Sequence, residues 1–266
     1  MKNQWKIAIV GGTGGMGQVF AKELKAYADV IIISRSLEKA WSVSEKLGVR
    51  GGLLQDCSKS DIIIVSVPIE NTLETCQKLF KIAKSNSLII DIAAVKTYLQ
   101  KLKSEIPEQI SYISMHPLFG PEGTFKDFNV ILIPLKEGGW LKELQNLLEK
   151  VGAITTTTTI MEHDTIMSKI QVAHHFMYLL LGSYLSDSQI SQKFFTRSFR
   201  KTLENFRGIE SNLPAIMEIQ ETNPLAESTR KEISLLVNDL VSLDQEKIEA
   251  LIEKIEIFKR TYLLKK

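Results

Sequence analysis

A strand that leads straight into a glycine-rich turn and then a helix restricts the fold of this chain more than any other feature. The apolar, β-branched run Lys6–Val10 is followed at once by Gly11–Gly17. Within that turn, Gly12, Gly14 and Gly17 have the spacing G-x-G-x-x-G. Strand, turn and helix in this order open the βαβ units that bind dinucleotides in parallel sheets.

Each glycine of the turn has a physical role in such a unit. Gly12 allows the tight turn, Gly14 lets the backbone approach a pyrophosphate, and Gly17 lets the helix pack closely on the strand. Backbone amides at the helix start, including those of Gly15 and Met16, would hold the phosphates together with the helix dipole. Glycine-rich turns are common, but the order of elements around this one predicts dinucleotide binding rather than a structural turn.

The end of the second strand predicts which nicotinamide cofactor binds. An NAD site usually carries Asp or Glu there, to accept a hydrogen bond from the ribose hydroxyl. In this chain Val30–Ile33 is followed by Ser34 and Arg35, and the acid is absent. Arg35 can pair with a 2′-phosphate, with Ser34 as a further donor, although a solvated surface arginine is the alternative. NADP is therefore the expected cofactor, with NAD as the second choice.

Apolar runs alternate with amphipathic stretches up to about residue 158. Such β-branched runs, without polar alternation, are typical of strands buried on both faces of a parallel sheet. The predicted strands are Lys6–Val10, Val30–Ile33, Ile62–Val67, Leu88–Ile90, Ile110–Ser114, Val130–Ile133 and Ala153–Thr157, and the predicted helices are Gly15–Tyr27, Leu37–Leu47, Ile69–Ala83, Val95–Ser104 and Gly139–Val151. We therefore predict an α/β fold with a Rossmann-type, doubly wound parallel sheet and helices on both faces.

The chain changes character after Thr159. Residues 161–266 contain no convincing strand, and periodic helices fill the region. These helices are predicted at Met161–Tyr184, Phe194–Phe206, Thr229–Val241 and Gln245–Tyr262. We predict a dinucleotide-binding domain over residues 1–158 and an all-helical domain over residues 159–266.

Charge and cysteine content argue against several classes of function. With 33 basic and 31 acidic residues the net charge is +2, so we expect neither nucleic acid nor membrane as a partner. Cys57 and Cys76 have no CxxC partner, and no Cys/His cluster has zinc spacing, so we expect no metal. The N-terminal apolar run is too short for a signal peptide, which with the two lone thiols predicts a cytoplasmic protein.

Four further motifs follow the glycine turn. They are Ser66-Val67-Pro68 after the fourth strand, Asp91–Lys96 after the fifth, His116–Pro121, and Glu162-His163-Asp164 followed by Ile170-Gln171 and His175-Phe176. In this order they resemble the prephenate dehydrogenase family, which shows V-S-V-P, D-x-A-S-V-K, H-P-M-F-G-P and E-H-D followed by I-Q-x-x-x-H-F. The resemblance runs from Ile7 to about Phe176 and is weaker beyond.

The resemblance implies a reaction of tyrosine biosynthesis, the oxidative decarboxylation of prephenate to 4-hydroxyphenylpyruvate with hydride transfer to NADP. It also implies a homodimer formed through the helical domain. Because loss of carbon dioxide makes the ring aromatic, the driving force lies in the substrate. The protein then needs to supply only positioning and one well-placed base.

Motif positions assign the substrate side of the site. His116 looks like the catalytic histidine, which would take the proton of the ring hydroxyl. His175 corresponds to the substrate-binding histidine, with a satisfied core histidine as the alternative. His174 lies about 100° round the helix from it and is expected to face away. Arg197 aligns best with the arginine that binds a substrate carboxylate, and Arg200 is the next candidate, with a surface arginine as the alternative.

Other motif positions concern the cofactor and the support of the histidine. Val67, Pro68 and Lys96 match the family on the cofactor side, although a solvated lysine explains Lys96 as well. For His163, at a helix start, capping is at least as good an interpretation as a role in the site. Ala94 departs from the family, which usually has a serine there whose hydroxyl helps to hold the catalytic histidine.

Three alternatives stay open. Arogenate, the amino counterpart of prephenate, could be the substrate, and a carboxylate near its amine would favour it. Another NADP-dependent reductase would share the glycine turn but would not be expected to carry the ordered motifs around His116. A non-catalytic nucleotide sensor would keep the glycines and Arg35 without a reason to retain His116.

Overall fold

A computed structural model describes residues 4–264 of the chain and contains one eight-stranded sheet with the strand order β3-β2-β1-β4-β5-β6-β7-β8. The strands are β1 (Trp5–Val10), β2 (Ala28–Ile33), β3 (Arg50–Gly52), β4 (Ile62–Val65), β5 (Leu88–Asp91), β6 (Ser111–Pro117), β7 (Asn129–Lys136) and β8 (Ile154–Thr157). The order reverses between β1 and β4, which is the doubly wound arrangement. The predicted Rossmann-type fold is therefore confirmed.

Helices connect most of the strands and cover both faces of the sheet. They are α1 (Gly15–Leu24), α2 (Leu37–Leu47), α3 (Ile69–Phe80), α4 (Leu99–Leu102) and α5 (Trp140–Lys150). Strand β1 shows why two covered faces are needed. Its Ile7 and Ile9 pack with Phe20 of α1 on one face. Ala8 packs with Leu79 of α3 on the other, because successive side chains of a strand point to opposite faces.

One part of the sheet differs from the prediction of parallel strands, because β6 and β7 are antiparallel. The segment between them, residues 118–128, contains no helix in the structure. A parallel neighbour needs a longer crossover, usually through a helix, so the chain turns back instead. The next strand, β8, follows helix α5 and is again parallel to its neighbour.

The second part of the described chain is helical. It consists of α6 (Ile160–Met167), α7 (Ala173–Leu185), α8 (Arg197–Ser211), α9 (Leu213–Thr222), α10 (Ala226–Asp239) and α11 (Gln245–Phe258). A π-helical turn, Ser168–Val172, joins α6 to α7 where the sequence predicted one unbroken helix. Helix α9 lies in a stretch for which no helix is predicted, and it contains Pro214. In the structure this proline lies at the start of the helix, where its missing N–H costs nothing.

The helical part is anchored to the sheet by a small apolar cluster. Val95, just after β5, packs with Val172, Ile219 and Ala226. This contact holds the helices over the carboxyl edge of the sheet. In the part of the chain that the structure describes, none of the helices combines the length and the apolar character that a bilayer crossing needs.

Candidate active site

The glycine turn lies between β1 and α1 and is closely packed. A Cβ on Gly17 would lie 2.5 Å from the Gly11 carbonyl oxygen, and one on Gly12 would lie 2.5 Å from the Ile32 Cβ. These distances are too short for any side chain, so both glycines are required by packing. Gly14 precedes the first residue of α1 and provides no side-chain cap. The amides of the first helical turn are thus left for a ligand such as a phosphate.

The structure therefore fits the phosphates of a dinucleotide at this turn. Gly14, Gly15 and Met16 line a cavity, whereas Gly12 and Gly17 lie packed behind it. The end of β2 lies beside the turn, since the amide of Gly12 donates to the carbonyl of Ile33 at 3.2 Å.

Ser34 and Arg35 follow directly at that edge of the sheet. Ser34 is half-buried and Arg35 is exposed, and neither lines the cavity itself. The Ser34 hydroxyl accepts a hydrogen bond from the backbone N–H of Ser36 at 3.3 Å. An exposed guanidinium at this place is accessible to a phosphate group that extends beyond the cavity.

The cavity has a volume of about 1110 Å³ and lies between the carboxyl edge of the sheet and the helices α7, α8 and α9. That edge of an open α/β sheet is where ligands bind. Val67 and Pro68, after β4, and Ala94, after β5, line the sheet side. His116, from the end of β6, lies on the same side and lines the same cavity as the glycine turn.

His116 is buried, with 4% of its surface exposed, and is held by its neighbours. Its Nδ1 lies 2.8 Å from the Nε2 of His163, and its Nε2 lies 3.5 Å from the Nε2 of Gln171. Burial, together with the positive charge of Lys96 and the adjoining His163 ring, holds the pKa of His116 well below its usual value. The ring is therefore neutral at pH 7 and able to accept a proton.

His163 does not cap helix α6. The cap is Thr159, whose hydroxyl accepts from the backbone N–H of Glu162. His163 is instead buried, and its Nδ1 lies 2.7 Å from a carboxylate oxygen of Asp164. Asp164, His163 and His116 thus form a continuous line of hydrogen bonds from the helical part into the cavity.

Lys96 is fully buried, so the interpretation as a solvated lysine is wrong. Its ammonium donates to Asp91 at 3.1 Å and to the backbone carbonyl of Met115 at 2.9 Å. Burial lowers the pKa of Lys96, and the neighbouring carboxylate of Asp91 opposes that shift. The side chain does not line the cavity, so it supports the end of β6 just before His116 from within the protein.

His175 lies on α7 and faces the cavity. Its Nδ1 is buried and has no hydrogen-bond partner within the described chain. Burial and the nearby His174 lower the pKa of His175 to about 4, so the ring is neutral at pH 7. The ring is part of the cavity wall, which fits ligand binding better than the alternative of a satisfied core histidine, because its buried Nδ1 is not paired as core polar atoms normally are.

Two neighbours of His175 complete this wall. Gln171 lies one helical turn before it and also lines the cavity, and its Oε1 is buried without a partner within residues 4–264. Gln171 belongs to the same sequence motif as His175, but the motif by itself assigns it no role. The expectation that His174 faces away is wrong, because the cavity is wide enough to be lined by both histidines.

The arginines of α8 are placed differently from the prediction. Arg197 begins the helix, is exposed and does not line the cavity, and Arg200 contacts the carbonyl of Gln192. Arg207, ten residues further along, lines the cavity instead. Ten helical residues span about 15 Å, so Arg197 and Arg207 cannot serve the same point within one chain. The motif similarity ends before α8, and only the tertiary structure identifies the arginine at the site.

The position of the missing serine is now defined. Ala94 lines the cavity and provides no hydroxyl. Thr97 is directed elsewhere, because its hydroxyl donates to Asp164 at 2.5 Å. Ser114 is buried on β6, and its hydroxyl has no partner in the described residues. The side chains that contact His116 are His163 and Gln171, both from the helical part.

Comparison with known proteins agrees with this geometry. The family model for the nucleotide-binding domain of prephenate dehydrogenase matches residues 20–157, which is about half of the chain. The chain belongs to the prephenate dehydrogenase family. The resemblance carried by the ordered motifs is thereby confirmed.

Two relatives match most of this chain. A Methanocaldococcus jannaschii protein named "Probable arogenate/prephenate dehydrogenase" is 33% identical over 202 residues, which cover 73% of this chain and 45% of that protein. The T-protein of Haemophilus influenzae is 31% identical over 190 residues, covering 70% of this chain and 46% of that protein. The matched part of the chain thus spans less than half the length of these relatives.

Solved structures share the fold over nearly the whole chain. Prephenate dehydrogenase from A. aeolicus, solved in complex with hydroxyphenyl propionate and NAD+, has a TM-score of 0.69 at 20% identity and covers 96% of this chain and 98% of that one. Arogenate dehydrogenase from Synechocystis has the same TM-score and identity, with 97% and 99% covered. The similarity extends through the helical part as well as the sheet.

Proposed function

We propose that this chain is a dehydrogenase that oxidatively decarboxylates prephenate, with His116 as the base. The observation that carries the proposal is the position of His116, a neutral buried histidine on a cavity shared by the glycine turn and the helical part. Its Nε2 would accept the proton of the ring hydroxyl. The family membership supports the same chemistry.

The cofactor proposed is NADP. A nicotinamide dinucleotide bound at the glycine turn would accept the hydride. Backbone amides of Gly15 and Met16 would bind its phosphates, and Val67 and Pro68 would line its path. Exposed Arg35 and the absence of an acid at the end of β2 support a 2′-phosphate over a free ribose hydroxyl.

Substrate recognition is assigned to the helical part. Prephenate carries two carboxylates, and a carboxylate that leaves water needs a cationic or hydrogen-bonding partner. Arg207 is the cavity arginine in the described chain and replaces Arg197 in our assignment. His175 lines the cavity and would donate to the substrate from its neutral ring. Lys96 is assigned a supporting role in place of the cofactor contact, because it is buried in its pair with Asp91.

Arogenate is the second candidate substrate, and one observation favours it. Glu204 lines the cavity three residues before Arg207 on the same helix, so the two side chains lie on one face. The side chain of arogenate carries both an ammonium, which can bind a carboxylate, and a carboxylate, which can bind a guanidinium. Glu204 and Arg207 together would suit that pattern, whereas the keto group of prephenate would leave Glu204 without a partner.

We also propose that the chain works as a homodimer through its helical part, over residues 159–266. Within the described chain, no residue of α7 or α11 is buried, although both helices are rich in large apolar side chains. On α11 alone, Ile252 and Ile255 are each more than half exposed. Apolar helices of this kind are normally covered. Analytical ultracentrifugation tests this interface. We expect the parent protein to sediment as a dimer and the double variant Ile252→Glu/Ile255→Glu to sediment as a monomer.

The decisive experiment is a comparison of four rates. Purified protein is mixed with prephenate or arogenate and with NADP or NAD, and the absorbance of the reduced cofactor at roughly 340 nm is followed. We expect the highest kcat/KM with prephenate and NADP. Nucleotide binding without turnover of either substrate would point to a sensor and overturn the proposal.

His116→Asn tests the base within the same assay. Asparagine can still donate from its amide to His163 but cannot accept the substrate proton. Turnover should fall by about 100-fold or more, since general bases contribute about 10²–10⁴-fold, while nucleotide affinity stays unchanged. Ser114→Ala, on the same strand and equally buried, is the matched control and should retain turnover.

A further inference from the structure

We propose that Asp164 and His163 act as positioning residues, which fix His116 with a proton on Nδ1 and an unprotonated Nε2 toward the cavity. The inference rests on the proposed role of His116 as the base. It gives a chemical task to a motif, Glu162-His163-Asp164, that the function above does not use.

The geometry of the three side chains is that of a rigid line. His163 connects Asp164 at 2.7 Å to His116 at 2.8 Å, through its two different ring nitrogens. All three residues are at most 4% exposed, so water does not compete for these bonds. Both distances are within the normal range for hydrogen bonds between side chains.

The proton positions follow from the end of the line. Burial acts to raise the pKa of Asp164, but hydrogen bonds from His163, Thr97 and the backbone of Lys96 outweigh it and hold the pKa below its usual value. A carboxylate only accepts, so His163 must donate from Nδ1. The Nε2 of neutral His163 is then an acceptor, and His116 must donate from Nδ1. Its Nε2 is left as an acceptor, which agrees with the donor-only amide nitrogen of Gln171 that lies 3.5 Å from it.

This arrangement matters because a neutral imidazole has two tautomers. With the proton on Nε2, His116 would face the substrate hydroxyl with a donor and could not accept its proton. The hydrogen bond at the other nitrogen decides which tautomer is present. When Nε2 of His116 takes the substrate proton, the proton on Nδ1 stays in the hydrogen bond to His163. Asp164, hydrogen-bonded to the other side of His163, then stabilises the positive charge on His116.

The chain's own departure from its family increases the importance of this line. The hydroxyl that would help to hold the histidine is absent at Ala94. Asp164 is itself anchored to the sheet side, since both of its carboxylate oxygens accept from the backbone N–H of Lys96, at 3.0 and 3.2 Å. The orientation of His116 therefore depends on the contact between Asp164, in the helical part, and the backbone of Lys96 after β5.

Two variants at one position separate orientation from packing. His163→Phe keeps a flat ring but offers no acceptor, whereas His163→Gln can present its Oε1 at the place of the original Nε2. Ser168→Ala is the control, because Ser168 is buried on the following helical turn and its hydroxyl bonds only to the Thr165 carbonyl. The experiment uses the full chain in each case.

The first readout is independent of turnover. The chain has 4 histidines, so nitrogen chemical shifts of ¹⁵N-histidine protein can be assigned by single substitutions. We expect His116 to be protonated on Nδ1 in the parent protein, in His163→Gln and in Ser168→Ala. A proton on Nε2 of His116 in the parent protein would overturn the proposal, whether or not the chain oxidises prephenate.

The second readout is the pH profile of kcat/KM with prephenate. The groups that face His116 and His163 are Lys96, Asp91 and Asp164, and none of the variants removes them. His163→Phe should lose roughly 100-fold or more in kcat, as expected for a base in the wrong tautomer, and should shift the acid limb. His163→Gln should recover at least tenfold of that loss. Parent-like kcat and pH profile in His163→Phe would reject the positioning role while leaving the proposed function intact.

Discussion

Replacing Lys96 with methionine would break a charge pair that lies in the interior of the protein. The side chains of Lys96 and Asp91 are both 0% exposed, and their charged atoms are 3.1 Å apart. Methionine has nearly the length of lysine and no charge, so the change removes the ammonium with little change in packing. Asp91 keeps hydrogen bonds from Tyr98 at 2.6 Å and from Tyr112 at 2.9 Å.

The size of the effect follows from that burial. Removal of one partner from a buried pair leaves the other charge without compensation, which typically costs about 3–5 kcal/mol. The two tyrosine hydroxyls offset part of that cost, so we expect the free energy of unfolding of Lys96→Met to fall by about 3 kcal/mol. The carbonyl of Met115 also loses its donor, and the end of β6 that carries His116 is loosened.

Lys84→Met is the matched control. Lys84 forms an equivalent pair with Asp61 at 2.5 Å, but the two side chains are 40% and 25% exposed. Pairs of this kind contribute about 0–1 kcal/mol. Urea unfolding followed by circular dichroism gives both differences from the same parent protein. Equal losses in the two variants would refute the argument from burial.

The same variant reports on the site. The ammonium of Lys96 contributes to lowering the pKa of His116, so its removal should raise that pKa. The acid limb of kcat/KM should then move to higher pH in Lys96→Met and stay in place in Lys84→Met. Affinity for NADP should be unchanged, because Lys96 does not line the cavity. A clear loss of NADP affinity would restore Lys96 as a cofactor ligand.

Three further predictions concern the proposed ligands and the effect of pH. Arg35→Asp should weaken NADP binding by at least tenfold and favour NAD, measured by fluorescence titration; unchanged affinities would reject the phosphate contact. Arg207→Ala should raise the KM for prephenate at least tenfold and Arg197→Ala should not; the reverse result in steady-state kinetics would return the carboxylate contact to Arg197. In the folded state the pKa of His116 is lowered, and that of His175 is lowered to about 4. As the pH falls below about 6.5, the unfolded state therefore binds more protons than the folded state, which lowers the free energy of unfolding. Urea midpoints should thus fall from about pH 6.5 to pH 4, and a midpoint that is constant over this range would contradict the buried neutral rings.

Much of the sheet could be predicted because its signals are local. Strand β1, the glycine turn and α1 follow one another without interruption, and each depends on neighbouring residues for its form. Strand β3 was missed because Arg50–Gly52 is short and rich in glycine, so it lacks the apolar pattern of a strand. Its pairing with β2 decides its conformation. The antiparallel direction of β7 also depends on pairing, although the lack of a helix before it was a usable signal.

The site could be predicted only in part. His116 and His175, which both line the cavity, could be proposed from the sequence because motifs in the first 176 residues retain the family's pattern. For His163 the sequence leaves a capping role and a role in the site both open, since it lies beside Asp164 at a helix start. Only the tertiary structure brings it to His116. Arg207 has no motif, and its place on the cavity follows from the direction of α8.

The sequence by itself determined the fold class, the turn that would bind a dinucleotide and the histidine proposed as the base. These depend on residue spacing along one strand, one turn and one motif. The tertiary structure decided which side chains surround that histidine, which arginine reaches the cavity, and that Lys96 is buried. The physical reason is that proton affinity and burial depend on neighbours distant in the chain, which are brought together only when the helices cover the edge of the sheet.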